Sequence, residues 1–322
     1  ALKNILLLGG SGFVGGHIAH LLSNQGGLRI TIPTRRLERS RDLLPLPGVH
    51  LVEADINDPG VLLSLVKGQD GVINLVGILH SDSAQPYGKA FARAHVALPK
   101  KVVAAMKQAG VRRLLHMSAL QAAIDAPSGY LRSKAAGEAV LLSATNDLDV
   151  TIFRPSVIFG PGDSFLNTFA TLLKLLPILP LASASARFQP VYVGDIADAF
   201  VASLKDQASF RQTYELCGPT TYSLRELVAY TGTLIGRHRP IVSLPCSLAY
   251  VQAMLLGLLP KPPMSPDNLR SMEVDSVSDG AHDYPGWRPT PLEAVAPTYL
   301  SPDEMVQLRL DRYRYRIRLQ GA

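Results

Sequence analysis

Six short runs rich in apolar residues recur along the first half of the chain, at 4–8, 28–36, 49–55, 71–77, 112–120 and 149–160. Residues 4–8, "NILLL", are apolar almost throughout and end in glycine. A strand buried on both faces reads this way, because side chains of alternate parity must both meet a core. Between these runs lie stretches with helical character. "FVGGHIAHLLSNQG" is stopped by Gly26-Gly27, "PGVLLSLVKGQD" (59–70) has Pro59 in its first turn, and "AHVALPKKVVAAMKQAG" (94–110) is long. A further helix opens at Tyr130 with "YLRSKAAGEAVLLSAT". Strand–helix alternation predicts an α/β fold, a doubly wound parallel sheet.

From about residue 161 the pattern changes. Prolines cluster in "LLPILPLASASARFQP" and "LLPKPPMSP", and strands become sparse. The expectation is a dinucleotide-binding domain over 1–160 and a smaller, mostly helical C-terminal lobe over 161–322. The two interleave, since "QPVYVGDIADAF" (189–200) reads as a strand and helix returning to the main body, so that 187–205 joins it.

Composition narrows the picture. Of 322 residues, 47% are hydrophobic and 18% charged, enough for a large core and against disorder. Cys217 and Cys246 have no metal-ligand spacing and read as reduced, buried thiols of a cytoplasmic protein. No metal site is expected. The first residues enter a strand at once, so no secretory signal is expected there. Net charge is +6, and the stretch 308–320, "LRLDRYRYRIRLQ", holds five arginines against Asp311. The main domain has no basic stripe with interleaved aromatics, so nucleic acid is not an expected partner.

After the first strand comes Gly9-Gly10-Ser11-Gly12-Phe13-Val14-Gly15, in which Gly9, Gly12 and Gly15 form G-x-x-G-x-x-G. A tight turn, a close approach of backbone to pyrophosphate and close strand–helix packing each require a glycine. The helix start then offers unpaired N–H groups to the phosphates. With a strand before it and a helix after it, the loop reads as a Rossmann dinucleotide site; the other reading is a tight strand–helix turn without ligand. The second strand ends Thr34-Arg35-Arg36, with no acid until Glu38. Guanidinium groups there suit a 2′-phosphate, so NADP(H) is favoured over NAD(H); the other reading makes both arginines surface charges. Asp55, ending the third strand, suits the adenine amino group, with Ile56 against the ring; it also suits the start of a helix.

Ser118 closes the fifth strand, and Tyr130 and Lys134 open the next helix on one face. An unperturbed phenol titrates near 10, and a nearby ammonium lowers this. With a serine hydroxyl holding the substrate oxygen, the set suits proton transfer coupled to hydride transfer at a carbinol carbon. The alternative is that Lys134 only bridges a ribose and Tyr130 packs.

The strings "GGSGFVG", "ADIND", "NLVG", "MSAL", "YLRSK" and "FRPSVIFGPGD" resemble the extended short-chain dehydrogenase/reductase superfamily over essentially the whole chain. "RPSVIFGPGDSFLNTFATLL", "RFQPVYVGDIADA" and "LPKPPMSPDNL" resemble the bacterial form of the branch related to the nucleotide-binding accessory subunit of mitochondrial complex I. The resemblance implies a tightly held NADP(H). Gly9, Ser11, Gly12, Phe13, Val14 and Gly15 would take the pyrophosphate, Arg35 and Arg36 the 2′-phosphate, and Asp55 and Ile56 the adenine. Leu75, Val76 and Gly77 would line the cofactor, with Tyr130, Lys134 and Pro155 around the nicotinamide ribose. Two functions follow: a reductase, dehydratase or epimerase acting through Ser118, Tyr130 and Lys134, or a non-catalytic accessory or assembly subunit tied to respiratory complex I or quinone metabolism. Many extended members carry asparagine where this chain reads Ala94-His95-Val96, which weakens a simple sugar-epimerase reading.

The apolar run Cys246–Leu259 is too short to span a bilayer, which needs about 20 residues. It reads as a packed helix, or as an interfacial one resting on lipid beside the arginine-rich stretch. The expected partners are a small-molecule or lipid-like substrate, and a membrane or protein complex met through the C-terminal lobe. The expected location is the cytoplasm, with the inner face of the membrane as the alternative.

Overall fold

Every strand of the main sheet runs the same way, because each hydrogen-bonds to a strand reached by a crossover. The computed structural model describes residues 2–82, 84–257 and 264–301. The arginine-rich stretch 308–320 and residues 258–263 lie outside them. In chain order the first elements are β1 (Asn4–Leu8), α1 (Phe13–Asn24), β2 (Arg29–Thr34), β3 (Val49–Glu53), α2 (Pro59–Val66) and β4 (Gly71–Asn74). Next come α3 (Lys89–Phe91), a π-turn (Ala92–Ala97), α4 (Leu98–Ala109), β5 (Arg113–Met117), α5 (Gly129–Leu142) and β6 (Asp149–Pro155). The remainder comprises β7 (Ile158–Phe159), α6 (Phe165–Leu175), β8 (Leu179–Leu181), β9 (Arg187–Phe188), β10 (Val191–Tyr192) and α7 (Val193–Ser203). It continues through β11 (Gln212–Leu216), β12 (Tyr222–Ser223), α8 (Leu224–Leu234), β13 (Ile241–Ser243), α9 (Cys246–Gly257), α10 (Pro266–Ser271) and α11 (Leu292–Leu300).

The main sheet has seven strands in the order β11-β6-β5-β4-β1-β2-β3, so chain direction across the sheet reverses between β1 and β4. In open parallel sheets this switch point is where ligands bind, at the carboxyl ends of the strands. The alternation in β1 explains its apolar run: Ile5 and Leu7 face one core with Ile18, Leu22 and Phe200, and Leu6 and Leu8 face the other with Leu62, Val102 and Met106. α1 and α7 cover the first face, and α2, α4 and α5 the second.

Three features depart from the sequence reading. β11 is a seventh strand that hydropathy did not reveal, because "QTYEL" is polar at every second residue. It sits at the sheet edge, parallel to β6, where one side needs no apolar cover. The run 149–160 divides into β6 and the separate β7, which pairs with β10. The helix expected from residue 94 starts earlier and passes through the π-turn, which widens the backbone spiral at His95.

The smaller lobe encloses its own core of Phe159, Leu166, Phe169, Leu227, Val228 and Leu292, beside three two-stranded sheets. Asp163 fastens it: one carboxylate oxygen accepts from the Leu166 amide at 2.8 Å and the other from the Tyr299 hydroxyl at 2.5 Å, joining α6 to α11. Of the two cysteines, Cys217 is buried as expected, but Cys246 is exposed in the first turn of α9. No helix among the described residues is long and apolar enough to cross a membrane.

Candidate active site

The loop after β1 is built for close approach. Gly9 has φ +80° and stands against the backbone of Leu75 and Val76, where an added Cβ would lie 3.1–3.2 Å from backbone atoms. A Cβ on Gly15 would fall 2.3 Å from the Gly9 carbonyl oxygen, so α1 can rest on the loop only with glycine there. At Gly12 a Cβ would meet just the Gly9 carbonyl oxygen, at 3.2 Å, so its Cα faces open space. Gly12 is the N-cap of α1 and supplies no side-chain acceptor, which leaves the first-turn amides free for an anion. Ser11 is exposed at this opening, Phe13 is half-buried, and Val14 is 6% exposed in the core, so only its backbone is on offer.

Asp58, not Asp55, caps α2, accepting from the amides of Gly60 and Val61. Asp55 Oδ1 accepts from the backbone and side chain of Asn57, both at 2.9 Å, and these bonds hold its carboxyl below the usual range. Ile56 packs on the second core. Arg35 and Arg36 are exposed beyond β2, where Thr34 Oγ1 accepts from the Arg36 amide at 3.3 Å.

At the other half of the switch point, α5 brings Tyr130 and Lys134 beside the end of β5. Its N-cap is Ser128, whose hydroxyl accepts from the Leu131 amide at 3.1 Å. Asp267 of α10 accepts from the Gly129 and Tyr130 amides at 2.7 and 3.0 Å, so a carboxylate of the smaller lobe also holds this helix start. Nothing near residue 130 signals that contact in the sequence, since 137 positions separate Tyr130 from Asp267.

Lys134 is 5% exposed; its Nζ donates to the Met117 carbonyl at 3.2 Å and lies 5.9 Å from the Tyr130 ring centroid. Burial pulls its pKa down to about 8, against the pull of Glu138 one turn on. Burial pushes the Tyr130 phenol up to about 12. The phenol therefore moves up, opposite to the lowering expected from Lys134. Ser118, next after Met117, is 3% exposed, and its Oγ finds no hydrogen-bond partner among the described residues. A buried hydroxyl left unpaired is costly, and a ligand oxygen would satisfy it. The open Gly12, the free α1 amides and this hydroxyl all fit a dinucleotide with its substrate. Pro155 is buried at the end of β6, its carbonyl accepting from the Leu120 amide at 3.0 Å.

His95 departs from the family pattern, and the structure gives it work. Its Nε2 accepts from the Ile78 amide at 3.1 Å, so the ring proton sits on Nδ1 and is donated to Ser133 Oγ at 2.8 Å. Ser133 in turn donates to the Tyr130 carbonyl at 2.7 Å. Burial, Lys134 and His116 drive the His95 pKa down to about 2, so the ring is neutral. Phe91 stacks on it, and both rings meet the Tyr130 ring edge to face. A Cβ at Gly77 would lie 3.2 Å from Lys134 Nζ and 3.7 Å from His95 Nε2, which brings the end of β4 to the same point.

The Lys134 and Tyr130 values make stability depend on pH in two opposed ways. Between about 8 and the ordinary 10.5 the unfolded chain holds a proton at Lys134 that the folded protein has released. Stability therefore rises across that window; below it both states hold the proton and the burial cost stands in full. Between 10.0 and about 12 the folded protein keeps the Tyr130 proton that the unfolded chain loses, so stability falls. Denaturant unfolding of nucleotide-free protein should show wild type gaining up to about 3 kcal/mol on Lys134→Met between the two lysine values. Parallel curves for the two proteins would refute this.

The NAD dependent epimerase/dehydratase family profile matches residues 5–217. The chain is 32% identical over 291 residues to subunit 9 of the NADH dehydrogenase [ubiquinone] 1 alpha subcomplex, mitochondrial, of Arabidopsis thaliana, covering 85% of this chain and 71% of that one. It is 31% identical over 201 residues to a ceramide reductase of Caulobacter vibrioides, covering 62% and 60%. Among solved structures, MoeE5 in complex with UDP-glucose and NAD superposes with TM-score 0.65 at 21% identity, over 75% of this chain and 85% of that one. The similar solved structures described with a dinucleotide contain NAD. This corrects the preference for NADP(H). An arginine after β2 does not by itself imply a 2′-phosphate, since Arg35 and Arg36 lie at the surface, where a guanidinium is stable in water without an anionic partner. The fold, the glycine loop and the profile agree, and the chain belongs to the NAD dependent epimerase/dehydratase family.

Proposed function

We propose that this protein binds NAD(H) across the switch point and catalyses a reduction at a carbonyl carbon of a small, lipid-like molecule. The observation that carries the reading is the buried, unpartnered Ser118 hydroxyl at the end of β5, beside the strand end that Lys134 contacts. When bound, the dinucleotide supplies the hydride. Ser118 donates to the substrate oxygen and orients it. Tyr130 holds its proton at neutral pH, since burial raises its phenol, and so stands ready as the acid that protonates that oxygen. Lys134 holds the ribose and, as an ammonium, stabilises the phenolate that remains.

The surroundings of Tyr130 support an apolar substrate. Tyr130, like Ala123 and Val274, packs against the buried Ala119, Ala126 and Leu131, and Leu79 and Ile124 stand exposed. The ceramide reductase named above carries a lipid in its name, which favours a lipid-like substrate here; the UDP-glucose of MoeE5 is the sugar-nucleotide alternative. A second reading, a non-catalytic accessory subunit in which the nucleotide stiffens the fold, draws on similarity to the plant complex I subunit over 85% of this chain.

The deciding experiment denatures protein purified without added nucleotide and identifies what is released. It then follows nicotinamide absorbance as long-chain ketones, quinones and UDP-sugars are offered. NAD(H) that oxidises with a ketone supports the reductase. A nucleotide that never changes oxidation state with any acceptor overturns it in favour of the accessory role.

A further inference from the structure

The smaller lobe carries a second surface, independent of the dinucleotide site. Six large apolar side chains stand out of it, 49–73% exposed: Leu175, Ile178, Val242, Leu248, Val251 and Met254. The last three recur every third residue and so share one face of α9. The other face is seated, with Ala249 and Ala253 buried against Ala182 and Leu269. The six belong to adjoining elements. Val242 of β13 pairs in register with Pro180 of β8, and Gln252 of α9 donates to the Pro180 carbonyl at 3.5 Å. Leu175 ends α6, and Ile178 enters β8 directly.

The chain segments that form this face carry only basic charge. No Asp or Glu occurs in residues 164–194 or 227–266, the segments that form it. Lys174, Arg237 and His238 are exposed beside Leu175 and Ile178, and Arg239 Nε donates to the Leu173 carbonyl at 3.4 Å, tying the two loops together. Two acids border these segments from neighbouring elements: Glu273 accepts from the Tyr250 hydroxyl at 3.1 Å, and Glu226 accepts from the Ser223 amide in the cap of α8.

We propose that this face docks on an anionic lipid bilayer, α9 lying in the plane of the surface with Leu248, Val251 and Met254 at the headgroup–acyl boundary and Lys174, Arg237 and Arg239 on the headgroups. Aliphatic chains rimmed by cations, with no large aromatic anchor, suit a fluid surface that demands no shape complementarity. A second copy of the chain would bring the same cations together across the symmetry axis.

Flotation of the full chain with phosphatidylglycerol–phosphatidylcholine vesicles, and with phosphatidylcholine alone, tests this. The protein is expected to float with the anionic vesicles and to be released by salt. Val251→Ser with Met254→Ser should cut the bound fraction about tenfold or more, with the thermal midpoint unchanged. Lys174→Gln with Arg237→Gln should weaken anionic binding alone. Three results overturn the proposal: no flotation, flotation untouched by both pairs of substitutions, or flotation lost on removing residues 302–322 and otherwise unchanged. A dimer in sedimentation that Val251→Ser with Met254→Ser dissolves would assign the face to a second copy, and overturns it too.

Discussion

Tyr130→Phe is expected to abolish turnover, by about a hundred- to ten-thousandfold in kcat, while nucleotide binding and folding persist. The substitution removes one hydroxyl and keeps the ring, whose edge-to-face contacts with Phe91 and His95 hold it in place. No hydrogen bond of the folded chain depends on that hydroxyl among the described residues, so its loss leaves no partner stranded. Its deletion removes a proton donor from the reaction and little else. Single-turnover oxidation of bound NADH, read by nicotinamide absorbance with the ketone found by the nucleotide-release experiment, measures the effect. Equal rates in the two proteins would make Tyr130 a packing residue and leave Lys134 as a ribose clamp. The pH profile adds a second readout: a phenol held near 12 serves as an acid over the whole neutral range, so the rate should fall on the alkaline side only near the Lys134 value of about 8.

Sequence patterning exposed the central sheet because five of its strands, β1, β2, β4, β5 and β6, are buried along most of their length and carry that in their apolar runs, and because β3, at the sheet edge, still carries Val49, Leu51 and Val52. β11 escaped because it gives the core only Tyr214 and Leu216, with Gln212, Thr213 and Glu215 as its other three residues, so no apolar run marks it. The glycine loop was legible because Gly15 answers a clash that any Cβ would create, and such a constraint leaves a local mark. Ser118, Tyr130 and Lys134 were legible by type and by place on the strand and helix. Their electrostatics were not, since desolvation depends on everything packed around them, and it moved Tyr130 opposite to the simple Lys–Tyr argument. The choice between NADP(H) and NAD(H) was misread from Arg35 and Arg36, because two surface arginines after a strand are compatible with either nucleotide and their type alone does not decide. His95 was noticed as a departure, yet its two hydrogen bonds, to Ile78 and Ser133, join segments that are far apart in sequence. Asp267 was invisible for the same reason.

Glu138→Ala is expected to be strongly destabilising. Glu138 lies one turn beyond Lys134 on α5, 4% exposed at its side chain, and grips Arg154 of β6 through both oxygens, at 2.9 and 2.5 Å. The pair raises the Arg154 pKa, chiefly through these hydrogen bonds. Truncation leaves a guanidinium without its counter-charge inside the protein, and breaking buried pairs in this way costs several kcal/mol. Because the Arg154 side chain keeps 27% of its exposure, water recovers part of that, and the expected loss is about 3 kcal/mol. Replacing both partners, Glu138→Met with Arg154→Met, should restore most of the stability, since the cost lies in the stranded charge and not in the loss of a net attraction. Urea unfolding of the single and double variants separates the two: a double variant no more stable than Glu138→Ala would mean that the pair is needed for packing. The same substitution reaches the chemistry through Lys134. Glu138 opposes the fall of the Lys134 pKa, so without it the lysine should lose its proton at lower pH. The alkaline limb of the rate profile should then move toward neutral in Glu138→Ala, and a limb that stays in place would separate Lys134 from it.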